Sequence, residues 1–177
     1  MGLKGGDSNP LICGRLQLSS SSRIYMTSTG SSWEKHVGYS GPVGNWSAVY
    51  LKGCGWDGRY ITFPTAGKYA FTCRMGIKEG AFTSVAFWLD VLQGQDWWCI
   101  ANKLRHPNVG SCFIDWRGIA NLEAGAIVSM RLTMHDYNTH CGYWIIPEID
   151  LPRAPILEWF RISPSIGERS APNWYWQ

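Results

Sequence analysis

A chain of 177 residues can hold one domain with a sizeable core and short appendages. Its formal charge of +3 comes without any run of Lys or Arg, so the electrostatic footprint of a nucleic-acid binder is missing. No apolar run reaches the ~18 residues that span a membrane as a helix, while 20 glycines, 9 prolines and an aromatic share of 14% suit an all-β domain with many turns.

Residues 1–45 read as a polar arm rich in Ser, Gly and Thr, densest at Ser19 to Ser22 and Gly30-Ser-Ser32. The opening Met1-Gly-Leu-Lys-Gly-Gly-Asp-Ser8 has no hydrophobic segment of the kind a secretory signal needs. One strand-like piece, Arg23-Ile-Tyr-Met-Thr27, interrupts the arm. The arm has too little apolar surface for a core of its own and is expected to be mobile or ordered by a neighbour. Asn45-Trp-Ser47 matches a glycosylation acceptor, read as a chance match in a chain without a leader.

From Trp46 short strands alternate with turn signals, at 47–51, 59–63, 67–77, 83–92, 96–101, 110–117, 126–135 and 140–147. The clearest case is Ile61 to Met75. Ile61-Thr-Phe63 is apolar and β-prone, and Pro64-Thr-Ala-Gly67 then turns the chain. Beyond it Tyr69, Phe71, Cys73 and Met75 alternate with Lys68, Ala70, Thr72 and Arg74, the period of a half-buried antiparallel strand. Val85, Phe87, Leu89 and Val91 oppose Ala86, Trp88 and Asp90, and Val128, Met130, Leu132 and Met134 oppose Ser129, Arg131 and Thr133. Strands at this spacing, with no amphipathic helix between them, indicate a sandwich or a barrel.

The chemistry-bearing residues are dispersed. Six cysteines (13, 54, 73, 99, 112, 141) form no Cys-x-x-Cys pair, and those on core faces read as reduced thiols that pack as small hydrophobes. His135-Asp-x-x-x-His140-Cys141 is the densest group of metal-ligand types, but Tyr137-Asn-Thr139 reads as a polar loop, and no metal or other cofactor is expected. No serine sits in Gly-x-Ser-x-Gly and no carboxylate pair stands out, so the chain is not expected to be an enzyme and no catalytic residue is assigned.

Eleven tryptophans, counted as 11 in the composition, are too many for one small core. Trp116 shares a face with Cys112 and Ile114 and reads as core. Trp88 and Trp144 point away from the apolar faces of their strands, and with Trp97 and Trp98 they suggest a subunit interface or, alternatively, a stacking surface for sugar rings. From Pro147 the pattern dissolves into prolines and aromatics, although Leu157 to Ile162 could form another strand. Trp159, Phe160, Trp174, Tyr175 and Trp176 in this tail read as anchors, folded back on the domain or docked on a neighbour.

Ile61-Thr-x-Pro64-x-x-Gly67-x-Tyr69-x-Phe71 resembles the central signature of the C1q/TNF-like jelly roll. Asn121-Leu-Glu-Ala-Gly125-Ala-Ile-Val-Ser-Met-Arg-Leu132 is similar to the family's Leu-x-x-Gly-Asp-x-Val-x-Leu segment, and Cys141-Gly-Tyr-Trp-Ile-Ile146 resembles its closing strand. Ile61 stands where an aromatic is usual, and Ala126 where the family has Asp. The resemblance implies an antiparallel jelly-roll sandwich over 46–147, flanked by an irregular N-terminal arm (1–45) and an aromatic, proline-rich C-terminal tail (148–177). It also implies a homotrimer that acts through binding surfaces. Because no leader or collagen-like stalk is visible, the expectation is a viral or phage virion protein assembled in the host cytoplasm, as capsid decoration, head fibre or tail-associated knob. Its partners would be other virion or capsid proteins, with neither nucleic acid nor membrane. The alternatives are a tip protein that binds a host receptor or surface glycan, and a secreted C1q-like recognition module.

Overall fold

The computed structural model describes residues 11–18, 24–26, 35–37, 46–81, 84–105, 111–135, 143–150 and 154–164. These residues hold thirteen strands and no helix: β1 (Cys13–Leu18), β2 (Ile24–Met26), β3 (Lys35–Val37), β4 (Trp46–Lys52), β5 (Gly55–Trp56), β6 (Ile61–Phe63), β7 (Gly67–Ala81), β8 (Ser84–Gln93), β9 (Asp96–Arg105), β10 (Cys112–Leu122), β11 (Ala126–His135), β12 (Tyr143–Pro147) and β13 (Ile156–Ser163).

They form two antiparallel sheets. A seven-stranded sheet runs β2-β12-β7-β13-β1-β4, with β10 on the other edge of β7. A six-stranded sheet runs β5-β6-β11-β8-β9, with β3 also paired to β11. β7, at 15 residues, is the spine of the larger sheet. One of its edges pairs with β10 from Gly67 to Ile77, and the other is shared by β13 and β12.

The alternation along β7 becomes the core. Tyr69, Phe71, Cys73, Met75 and Ile77 are buried and meet Ile61, Phe63, Phe87, Leu89, Val128 and Met130 of the smaller sheet. Burying each large apolar side chain contributes about 1.5–3 kcal/mol, which is the main drive for closing the sandwich. Phe63 is a hub, with its ring edge-on to Tyr69 at 4.8 Å, Phe71 at 5.9 Å and Trp159 at 5.8 Å.

The domain limits differ from those expected. β1 lies within the supposed polar arm and is a full member of the larger sheet, between β13 and β4. Its inward side chains Leu16 and Leu18, and the preceding Ile12, are buried. β2 falls on the short strand-like piece anticipated at 23–27 and pairs with β12. The supposed tail contributes β13, which lies centrally between β7 and β1. The prolines of this region do not forbid that, because Pro155 and Pro164 bracket the strand and none falls inside it. Trp159 is therefore no docking anchor: it is 1% exposed in the chain's own core. Trp174, Tyr175 and Trp176 lie outside the described residues.

β7, β9 and β10 also run further than the sequence suggested. Gly76-Ile-Lys-Glu-Gly80 has poor strand composition, but β12 pairs with Ile77 to Ala81 and supplies the hydrogen bonds that local propensity does not.

Candidate recognition surfaces

The signature segment builds the turn between the sheets. Ile61 is fully buried on β6, Pro64 is exposed, and Gly67 opens β7. The Tyr69 hydroxyl donates to Thr65 O at 2.6 Å, and Arg161 Nη2 donates to Ala66 O at 2.7 Å. Gly67 has no positive φ; a Cβ there would lie 2.6 Å from Arg161 Nε and closer still to Ser163 O. Close approach of β13 thus explains this glycine. Gly125, in the β10–β11 turn, is different, because its φ of +84° is the conformation glycine adopts most easily.

The outer face of the six-stranded sheet carries an ion pair. Arg131 Nε donates to Asp90 Oδ2 at 2.8 Å and its guanidinium lies 4.6 Å from the centre of the Trp88 ring. Asp90 and Ser129 are buried, so this stretch of the outer face is covered. Trp88 is half-buried under that stack and opposes Arg131 in the ladder. Trp97 opens β9 on the same face, opposite Leu92, and is 41% exposed. Its ring centre lies 6.2 Å from that of Tyr60.

The four tryptophans proposed as one surface are divided by the fold. Trp88 and Trp97 share a face, while Trp98 stands opposite Val91 in the backbone ladder, on the other parity of β9. Trp144 belongs to β12 of the seven-stranded sheet, paired with Ala81 and Tyr25. A single patch of all four cannot form, because two sit on one sheet face and one on the other sheet.

A second surface escaped the sequence reading. On the outer face of the seven-stranded sheet, Ala70 is flanked by Ile119 of β10 and Phe160 of β13. Ile119 is 66% exposed and Phe160 54% exposed. Phe113, further along β10, is also exposed, with the Arg74 guanidinium 5.8 Å from its ring. One row away Arg15 and Glu158 form an ion pair at 3.3 Å. The available signal was apolar residues of both parities in one strand: Phe113 and Ile119 alternate with the inward Ile114 and Ala120.

Cys73 is buried, and burial pushes its thiol well above the ordinary 9.0. Cys112 and Trp116 are partly buried against the core, as their shared face predicts. Cys13, Cys54, Cys73, Cys99 and Cys112 are free thiols. Among the described residues no three His, Cys, Asp or Glu side chains come together, and residues 136–142, with His140 and Cys141, lie outside them.

No protein-family model and no curated protein sequence matches the chain. Solved structures do. Murine APRIL, crystallised at pH 5.0, superposes with a TM-score of 0.61 at 12% identity, covering 86% of this chain and 99% of that one. Eiger TNF from S. frugiperda superposes with a TM-score of 0.63 at 8% identity, covering 92% and 99%. The fold is a TNF-like jelly roll. β1 and β13 belong to the same sheet as β7, the strand the signature marked. The two surfaces above are thus the opposite outer faces of one jelly-roll sandwich.

Proposed function

We propose that this jelly roll is a non-enzymatic binding module that assembles as a homotrimer through the outer face of its seven-stranded sheet. The exposed row Ile119–Ala70–Phe160 carries the reading. Large apolar side chains adjacent across three strands are what the centre of a subunit interface needs. The next two outward rows along β7 carry charges of both signs: Arg117, Glu158 and Arg15 in the first, Asp115 and Arg74 in the second. Such a rim can complement a neighbouring copy and would repel a partner of uniform charge. The trimeric stoichiometry is what the C1q/TNF resemblance implies. The absence of catalysis is supported by the dispersal of acids, bases and nucleophiles, with Asp90 engaged by Arg131.

Light scattering at micromolar protein should give a trimer burying well over the ~1,000 Å² that marks a biological interface. Ile119→Ser with Phe160→Ser should shift the protein toward monomer while the circular dichroism spectrum is kept. A wild-type monomer, or a double variant that stays fully assembled, would remove this reading. A place in the virus particle, as decoration, fibre or knob, is a proposal of the sequence alone, and its test is detection of the chain in purified particles.

A further inference from the structure

The second outer face carries a different kind of surface at the end where β9 meets the β5–β6 turn. Asp57-Gly58-Arg59-Tyr60 forms that turn, with Gly58 at φ +92°. The Asp57 carboxylate accepts N–H bonds from Tyr60 at 2.6 Å and Arg59 at 2.7 Å. The Tyr60 bond is the leading cause that holds the Asp57 carboxyl below its ordinary value. The turn therefore fixes the direction in which Arg59 and Tyr60 leave the backbone. The Arg59 guanidinium lies 4.8 Å from the centre of the Tyr60 ring.

Trp97 approaches from the far side of the sheet. In the ladder Trp97 stands opposite Leu92, Leu92 opposite Ile127, and Ile127 opposite Thr62 of β6. Three strand spacings of about 4.8 Å put roughly 14 Å between the β9 and β6 backbones. The ring centres of Trp97 and Tyr60 are nevertheless only 6.2 Å apart. The two side chains lean toward each other across the ends of β8 and β11, with Leu92 and Ile127 half-buried between their strands. Their planes meet at 41°, so the rings are splayed and not stacked, and the indole stays 41% exposed.

We infer that this ledge is a carbohydrate subsite, in which the Trp97 indole receives one face of a hexopyranose and Arg59 donates to its ring substituents. The C–H face of a pyranose carries the slight positive charge that the negative face of an indole attracts. A guanidinium presents its donors as a rigid fork suited to paired oxygens. Gly55, opposite Thr62, and Gly94, in the turn before β9, project no side chain of their own beside the ledge. The ledge lies on the sheet opposite the proposed assembly face, so each reading can fail without the other.

The test uses the full-length protein on a glycan microarray printed with oligosaccharides ending in glucose, galactose, mannose and N-acetylglucosamine. Binding to at least one class is expected, and calorimetry with that sugar then gives a dissociation constant per subunit. Trp97→Ala should weaken it by about two- to tenfold, the order expected for losing an aromatic stacking partner. Val49→Ser, on an exposed position of the other sheet, should leave it unchanged. If Trp97→Ala does not fold, Tyr60→Leu should weaken binding in its place. No binding on the array overturns the inference, as does full affinity in both ledge variants. A change of oligomeric state in Trp97→Ala would also overturn it, since the ledge would then be a contact between copies.

Discussion

Replacing Gly67 by alanine tests whether close approach of β13, and not backbone conformation, is what this position requires. The new Cβ would sit 2.6 Å from Arg161 Nε and closer still to Ser163 O. Neither neighbour yields easily. Arg161 is tied to Ala66 O through Nη2, and Ser163 is the ladder partner of Lys68 beside a register shift. Displacing the β13 backbone costs about 1–3 kcal/mol as overpacking. Losing the guanidinium bond adds about 1.5–3 kcal/mol. The reduced freedom of the unfolded chain offsets about 0.4–1 kcal/mol. The expected net loss is about 2–5 kcal/mol, a large share of the ~5–15 kcal/mol that holds a typical domain. Urea unfolding, at matched protein concentration because assembly also stabilises, should show the midpoint falling by about 1–2 M. Gly125 supplies the contrast: open space surrounds its Cβ position and its φ is +84°, so Gly125→Asn should be milder than Gly125→Val. At Gly67 asparagine should be at least as damaging as alanine. An unchanged midpoint for Gly67→Ala would refute the steric account.

Trp159→Ala removes a fully buried indole that lies over Gly14, and should cost about 3–5 kcal/mol in the same urea assay. Asp90→Ala leaves the Arg131 guanidinium without its partner on a covered face and should cost about 3–5 kcal/mol, whereas the same change at exposed Asp96 should stay within about 0.5 kcal/mol. Iodoacetamide at pH 8 should modify Cys73 slowest among the described cysteines and at the common rate once urea is added, because burial raises its thiol. The Asp57 carboxyl is depressed on folding, so its contribution is present above the ordinary 3.8 and is lost as pH falls through the lower folded value. A carbon-13 titration of that carboxyl should have its midpoint below 3.8, and Asp57→Asn should speed exchange of the Tyr60 amide proton.

Much of the fold was legible because alternation is a local signal. Tyr69 to Met75, Val85 to Val91 and Val128 to Leu132 announced their buried faces residue by residue, and those faces form the core. Pro64 to Gly67 announced a turn through side chains that favour one. The missed strands were locally ambiguous. In β1 the inward series Ile12, Gly14, Leu16, Leu18 is broken by a glycine that looked like arm composition. That glycine is explained only across the sheet: the Trp159 ring of the paired residue fills the place of its side chain, with Cε2 2.7 Å from where a Cβ would be. β13 was anticipated over Leu157 to Ile162, but its flanking prolines assigned it to a tail, although a strand needs only the window between them.

The candidate surfaces show the same division. The sequence pattern turned Trp88 and Trp144 away from the apolar faces of their strands, because parity along a strand fixes the face, and offered Trp97 and Trp98 only as near neighbours in sequence. Whether they meet depends on register and sheet membership, which pair residues far apart in the chain. Tertiary structure alone put Trp144 on the other sheet, brought Arg131 over Trp88, and set Ile119 and Phe160 on either side of Ala70. It also leaned Tyr60 toward Trp97 across two intervening strands. The chain by itself thus determined which side chains each strand turns inward, since that follows from the two-residue repeat of the backbone. Which outward side chains become neighbours was decided by the long-range pairing of hydrogen-bonded strands, a choice made by the packing of the whole sandwich.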